Sequence, residues 1–266
     1  VNEEDFNTLS YINDRRNRLT ANNLIIGSSY SYINNSKKNI FDKDFSEFKF
    51  KIELAGNLTD ILANGFDVSQ NKFGKNKILG LAYSQFIKTE IGYIKHWTLG
   101  VNSKLAIRSF FGIAAPFGNS NSIPFSKSFF AGGSNDNRAW EVYRLGPGSS
   151  GALSEFNEAN MKIAFNIEYR FKIIGKLDGA IFNDIGNIWN VFDDTKDSKR
   201  TFDGFKDLNE LAIGSGFGMR YNLGYFILRL DTGFKTYNPV LENKDRWFND
   251  FNLKNAVFNI GLNYPF

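Results

Sequence analysis

Apolar and polar residues alternate along most of the chain with a period of two, the spacing that places side chains on opposite faces of a β-strand. In the segment 161–171, MKIAFNIEYRF, every odd position is apolar or aromatic and every even position is polar or small. The segments 48–54, 213–221 and 226–234 alternate in a similar way. We predict nine strands, near 20–34, 44–60, 77–92, 95–115, 157–172, 176–190, 209–222, 224–236 and 254–266.

Many of these strands are longer than the usual strand of about five to six residues. Short turns are predicted near Tyr93–Ile94, Ile174–Gly175 and Asn222–Gly224, and long polar loops at about 65–76, 117–156, 191–208 and 237–253. Long strands with short turns at one end and long loops at the other predict a transmembrane antiparallel β-barrel. Aromatic residues gather at the predicted short-turn ends, as in an interfacial girdle, at Tyr93, Trp97, Tyr169, Phe171, Tyr221, Tyr225, Tyr264 and Phe266. The alternative, a soluble β-sandwich or lipocalin-like barrel, explains the alternation but not the strand lengths.

Composition narrows the class of protein further. The 266 residues contain 42% hydrophobic residues but no apolar run of the roughly 18 residues that a membrane helix needs, which excludes a helical membrane protein. The net charge of +4 comes from charges that alternate rather than cluster, so a nucleic-acid partner is not expected. The absence of cysteine excludes disulfides and thiol chemistry. The first residues do not form a signal peptide, so we expect a mature, processed or fragmentary chain.

The last predicted strand ends in an alternating aromatic pattern. Asn259, Gly261 and Asn263 lie on its polar face. Its apolar face carries Ala256, Phe258, Ile260, Leu262, Tyr264 and Phe266. A last strand that closes on a C-terminal aromatic residue resembles the β-signal of bacterial outer-membrane proteins.

The segment 123–150, IPFSKSFFAGGSNDNRAWEVYRLGPGSS, resembles the long sixth extracellular loop of the BamA/TamA superfamily, the bacterial surface antigen barrels. That family carries a Pro-Phe lead-in, an aromatic-x-Gly-Gly segment, an Arg-Gly-aromatic tip and a Leu-Gly-Pro exit. The corresponding residues here are Pro124, Phe125, Phe130, Gly132, Gly133, Arg138, Ala139, Trp140, Leu145, Gly146 and Pro147. Asn137 and Ala139 depart from the usual aliphatic residue and glycine, and Arg-Ala-Trp resembles the Bacteroidota TamA-like branch.

The resemblance implies that this loop folds back into the barrel lumen and that Arg138 pairs with carboxylates on the next two strands, Glu168 and Asp184. The alternation independently places both carboxylates on inward faces, and the tight turn at Ile174–Gly175 brings their strands together. Two neighbouring carboxylates repel each other unless a cation lies between them. A guanidinium group can bind both, which a lysine does less well. We therefore predict a loop-anchoring charge cluster.

The resemblance also implies a particular part of a larger barrel. The family barrel has sixteen strands, five of them after this loop. The chain is expected to be all-β, with 1–266 forming the C-terminal portion, about nine strands, and 117–156 forming the lumenal loop. An odd number near nine does not close an antiparallel barrel by itself. The first strands and the periplasmic POTRA domains are expected to be missing or to belong to another chain.

The expected function is assembly, insertion or translocation of proteins in the outer membrane of a Gram-negative bacterium, through a lateral seam between the first and last barrel strands. The expected partners are outer-membrane lipid, unfolded outer-membrane protein clients, and accessory lipoproteins or periplasmic proteins. A passive porin is the alternative, although it leaves the loop and its two carboxylates unexplained. Glu168 and Asp184 could also form an enzymatic acid/base pair. However, there is no GxSxG motif, and the single histidine is His96. We predict no catalytic residue, cofactor or metal.

Overall fold

The computed structural model describes Arg16 and residues 22–262, apart from 40–41, 66–68, 72–73, 152–156 and 225. Its strands are β1 (Asn23–Leu24), β2 (Gly27–Asn35), β3 (Phe45–Ala55), β4 (Lys77–Ile78), β5 (Leu81–Tyr83), β6 (Phe86–Gly100), β7 (Ser103–Pro116), β8 (Met161–Ile174), β9 (Leu177–Trp189), β10 (Ala212–Asn222), β11 (Ile227–Tyr237) and β12 (Val257–Gly261). One α-helix, α1 (Asn57–Gly65), and short 3-10 helices at Phe125–Lys127, Phe205–Glu210 and Asn243–Asp245 complete the described elements. In the part of the chain that the structure describes, no helix is long and apolar enough to cross a membrane.

Nine strands form one antiparallel sheet in the order β12-β11-β10-β9-β8-β7-β6-β3-β2. Each strand of this sheet pairs with its neighbours along the chain, as in a meander. The short strands β1, β5 and β4 form a separate small sheet. The prediction of an all-β fold with nine main strands is therefore confirmed.

The sheet exposes its apolar face and buries its polar face. Paired positions across seven strands form one outward row, Trp97, Leu105, Tyr169, Ile181, Phe217, Thr232 and Phe258. Ile181 and Phe217 are each 57% exposed and Phe258 is 70% exposed, whereas the inward Glu168 and Asp184 are fully buried. A soluble protein has the opposite arrangement, while a barrel wall that meets lipid has this one.

The turn between β6 and β7 lies at residues 101–102, so the predicted turn at Tyr93–Ile94 is wrong. Gly92, which resembles a turn residue in the sequence, pairs inside the sheet with Lys49 on one side and Phe110 on the other. Alternation therefore continues through Gly92, and Tyr93 lies in the middle of β6 rather than at a turn. The short turns after β8 and β10 fall where they are predicted.

The segment after β3 also differs from the prediction, because β3 ends at Ala55 rather than near residue 60. Gly56 adopts φ +87°, a left-handed conformation that breaks the strand, and α1 follows. The Thr59 hydroxyl donates to the Gly56 carbonyl, 2.7 Å away, in the first turn of the helix. The small sheet then takes residues 77–83 and Asn23–Leu24, so the predicted strands near 77–92 and 20–34 begin too early.

The apolar core lies on the inner side of the sheet. Strand residues with small or apolar side chains contribute one half of this core, at Ala55, Phe86, Ala114, Ile188 and Ala212. The connection between β7 and β8 contributes Ala131, Ala139, Trp140 and Leu145. This connection, described over residues 117–151 and called the inner loop below, therefore packs against the inner face of the sheet.

Candidate functional site

A compact turn in the inner loop presents Arg138 to the sheet. The Gly132 amide donates to Asp136 Oδ2 at 2.7 Å, and the Gly133 amide donates to the Trp140 carbonyl at 2.8 Å. Lys162 from β8 forms an ion pair of 2.9 Å with Asp136. These contacts close the turn over residues 132–140 and direct Arg138 inward.

Arg138 binds two carboxylates on adjacent strands. Its Nε and Nη2 atoms donate to the two oxygens of Asp184 on β9, at 2.8 and 2.9 Å. Its Nη1 atom lies 2.5 Å from Glu168 Oε2 on β8, and its backbone amide donates to Asp184 Oδ2 at 3.0 Å. The structure thus brings together the three residues that the sequence singles out, and all three are at most 1% exposed.

Four further charged residues join this contact, which is larger than the sequence predicts. Glu168 also binds Arg170 at 2.6 Å and Arg220 at 2.9 Å. Asp231 binds Arg220 and lies 3.1 Å from Arg229. The central charge cluster, as we call it, comprises Arg138, Arg170, Arg220, Arg229, Glu168, Asp184 and Asp231. Its four guanidinium groups and three carboxylates leave a formal charge of +1.

Strand register explains why these side chains meet. Asp184 pairs with Asn166 on β8 and with Gly214 on β10, and Asp231 pairs with Gly218. Glycines at inward positions of β10 leave room for the long side chains of their neighbours. The added members of the cluster could have been found in the sequence as charged residues at inward positions of β8, β10 and β11.

Uncharged side chains also hold the same turn in place. Asn166 donates to Asp184 Oδ1 at 2.8 Å and to the Asp136 carbonyl at 2.7 Å. Asn259 on β12 donates to the Arg138 carbonyl at 2.9 Å. The Phe182 ring lies 3.5 Å from the Arg138 guanidinium carbon, which is a cation–π contact. Arg138 is therefore held through both its side chain and its backbone.

Two glycines of the sheet let the turn approach closely. A Cβ atom on Gly233 would lie 2.4 Å from the Arg138 carbonyl oxygen. A Cβ atom on Gly214 would lie 2.6 Å from the Ala139 methyl group. Gly214 therefore leaves the space that the Ala139 methyl group fills.

Other motif residues of the inner loop are also in contact with the sheet. Trp140 is 4% exposed, and the Lys235 ammonium from β11 lies 5.7 Å from its ring. Gly146 and Pro147 lead out of the loop beside β9, where Asn187 donates to the Gly148 carbonyl at 2.9 Å. Trp140 and the exit of the motif thus lie against the inner face.

The last described strand shows the alternation that the sequence predicts. Phe258, Ile260 and Leu262 are 70%, 73% and 60% exposed, while Asn259 points inward. Tyr264 and Phe266 lie outside the described residues, so their place in a β-signal stays a prediction.

The central charge cluster is a structural contact whose carboxylates are fully paired. The carboxylates of Glu168 and Asp184 accept hydrogen bonds or ion pairs from guanidinium groups through all four of their oxygens. Buried charges are stable only when they are paired in this way. Within the described residues, no group of three or more metal-ligating side chains could hold a metal ion.

Comparison with known proteins identifies relatives of the chain. The model of the Omp85 superfamily domain matches residues 7–264. Among solved structures, BamA from Haemophilus ducreyi lacking POTRA domains 1–3 matches with a TM-score of 0.55 and 14% identity, over 79% of this chain. The match spans 38% of that BamA chain, and at this identity it shows the fold. No curated protein matches. The resemblance to this superfamily is confirmed, and the Bacteroidota branch stays a prediction.

Proposed function

The chain belongs to the Omp85 superfamily, and from that premise we propose that it acts in the outer membrane of a Gram-negative bacterium. Its role there is to assemble, insert or translocate other proteins. The partners of this function are outer-membrane lipid, unfolded client proteins, and accessory lipoproteins or periplasmic proteins. Strands outside the described sheet complete the barrel, because β2 and β12 are both end strands.

The observation that carries the proposal is the open edge of β12. Within the described residues, one edge of β12 pairs with β11 from Arg229–Gly261 to Gly233–Val257. The other edge of β12 has no strand partner among the described residues. A free edge of this kind is a template for an incoming strand. We propose that a client strand pairs there, at a lateral seam.

The inner loop lies beside this proposed seam and is held rigidly in place. We propose that Arg138, Glu168 and Asp184 anchor the loop, so that the lumen beside β12 stays filled while the seam opens. Asn259 links the two parts, because it lies on β12 and donates to the Arg138 carbonyl. A fixed loop next to a strand with an open edge favours lateral opening over passage through the lumen.

Cysteine crosslinking tests the seam, because the chain has no cysteine of its own. The Ile260→Cys variant, reconstituted in vesicles, is mixed with an unfolded barrel protein that carries one cysteine in its last strand. We expect a crosslinked product during insertion of the client. The matched control is Leu230→Cys. Leu230 pairs directly with Ile260 but lies on β11, one strand further from the open edge.

Equal crosslinking from both variants, or none from Ile260→Cys while clients still insert, would contradict pairing at β12. Single-channel recording separates the alternative function. A plugged assembly barrel is expected to show small, flickering currents. A large and steady conductance from the protein would support a passive porin instead.

A further inference from the structure

The loop between β11 and β12, residues 238–256, folds onto the outside of the sheet and is called the outer loop below. The Phe248 amide donates to the Thr236 carbonyl, and the Asn238 amide donates to the Arg246 carbonyl, both at 2.9 Å. Tyr237 consequently has a partner on each side, Ile213 on β10 and Trp247 in the outer loop. The outer loop therefore covers the C-terminal part of the β11 edge, beyond the residues that pair with β12.

Aromatic rings run without interruption from the sheet into this loop. Phe217 and Phe234 on the outward face lie 6.1 Å apart, and Phe251 stacks on Phe234 at 4.9 Å. The series continues from Phe251 to Phe248 at 5.9 Å and from Phe248 to Trp247 at 5.9 Å. The apolar wall of the sheet and the tip of the outer loop thus form one aromatic surface.

The tip of this surface is exposed and held by the backbone. Trp247 is 55% exposed and Phe248 is 61% exposed. Phe248 adopts φ +57°, a left-handed conformation that is unfavourable for a bulky side chain. Asp250 braces the base of the loop, because it accepts hydrogen bonds from Asn238 at 2.6 Å and from Asn255 at 3.2 Å. The fold therefore maintains two large exposed rings at this position.

We propose that the tip of the outer loop, Trp247 and Phe248, is a membrane-binding surface that inserts at the boundary between lipid headgroups and acyl chains. The inference rests on the proposed location in the outer membrane but not on the assembly activity. It marks the loop beside the last described strand as a lipid anchor.

Continuity and charge both favour lipid as the occupant. The rings extend the outward face of the sheet, which carries Ile181, Phe217 and Phe258 and is the face that a barrel turns to lipid. Residues 238–256 contain three acidic side chains, Glu242, Asp245 and Asp250, and three basic ones, Lys244, Arg246 and Lys254. With no net charge, the loop binds through its rings, and tryptophan favours the membrane interface.

Tryptophan fluorescence tests the proposal in the reconstituted protein. Trp140 and Trp189 are buried inside, whereas Trp97 lies in the outward row of the sheet. Subtracting the emission of a Trp247→Phe variant isolates Trp247, and a Trp97→Phe variant isolates Trp97. The vesicles contain lipids brominated either near the ester end or near the methyl end of the acyl chain. We expect Trp247 emission to be quenched, and more strongly by the label near the ester end.

Quenching of Trp97 by the lipid label, with Trp247 quenched only by aqueous acrylamide, would overturn the anchor and leave the membrane location intact. A Trp247 that neither agent quenches would also overturn it, because the ring would be covered by a second copy or another protein. If brominated lipid quenches neither Trp97 nor Trp247, the membrane location itself is rejected. Phe248→Trp in the Trp247→Phe background provides a second reporter at the same tip, with the same expected quenching.

Discussion

The inner and outer loops are fixed to the same sheet by opposite chemistry. The inner loop uses buried charges, since Arg138 contacts Asp184 at 2.8 Å and Glu168 at 2.5 Å. The outer loop uses rings, since Phe251 stacks on Phe234 at 4.9 Å. The inner loop adds these ion pairs to the apolar contacts of Trp140 and Leu145 in the core, whereas the outer loop covers the apolar outward face. A barrel wall thus determines how its loops are held, and the two loops should respond differently to mutation.

The largest expected effect is that of Arg138→Ala. This change leaves the Asp184 carboxylate fully buried without a guanidinium partner, and such a loss typically costs about 3–5 kcal/mol of unfolding free energy. The unfolding temperature on semi-native gels should fall, and trypsin should cleave the released loop at Arg144. Arg144→Ala is the control, because the pair of Arg144 with Glu141 is exposed and 4.0 Å long, and such pairs contribute about 0–1 kcal/mol. Equal stability of the two variants would contradict a charge-fixed inner loop.

The two carboxylates should not be equivalent. Without Arg138, Glu168 keeps Arg170 and Arg220, whereas Asp184 keeps only the Asn166 amide and the backbone amide of residue 138. Double-mutant cycles should therefore give a larger coupling for Arg138→Ala with Asp184→Asn than with Glu168→Gln, within the range of about 0.5–3 kcal/mol. The measurement is the urea midpoint of each variant. A larger coupling to Glu168 would mean that the neighbouring arginines do not compensate.

The next contribution to stability to test is the close approach of the inner-loop backbone to β11. Gly233→Ala places a methyl group 2.4 Å from the Arg138 carbonyl oxygen, and overpacking of this kind costs about 1–3 kcal/mol. Gly92→Ala is the control, because a Cβ atom there meets Lys49 Cβ at an ordinary 3.8 Å. Urea unfolding of both variants provides the comparison. If the two variants unfold alike, the inner loop does not depend on contact with β11.

The sequence predicts on which face of the sheet each side chain lies. It does not predict which side chains of the neighbouring strands that side chain contacts. A period of two fixes which side each residue takes, so Glu168 and Asp184 could be placed inward from the sequence alone. It does not fix the stagger between strands, and the contact of Arg220 on β10 with Asp231 on β11 depends on that stagger. The β6–β7 turn shows a further limit, because Gly100 and Asn102 mark it in the sequence but Gly92, inside β6, resembles a turn residue as well.

The outer loop should be less sensitive than the inner loop. Phe251→Ala removes ring contacts with Phe234 and Phe248, and aromatic pairs contribute about 0.5–1.5 kcal/mol beyond their buried area. The expected result is a modest decrease in the urea midpoint without cleavage at Arg144. Phe205→Ala is the control, because Phe205 lies in another long loop and is 90% exposed. A loss as large as that of Arg138→Ala would remove the contrast between the two loops.

The smallest expected effect concerns Asn259, the residue that joins the inner loop to β12. Asn259→Ala removes the hydrogen bond from β12 to the Arg138 carbonyl, and a neutral hydrogen bond of this kind contributes about 0.5–1.5 kcal/mol. Global stability should therefore change little. Local opening should change more, because this hydrogen bond ties β12 directly to the inner loop. Hydrogen exchange of the β12 amides is the measurement, and Asn255→Ala, which affects the outer loop instead, is the control. Faster exchange in β12 for Asn259→Ala alone is expected, whereas equal exchange in both variants would show that the inner loop does not stabilise β12.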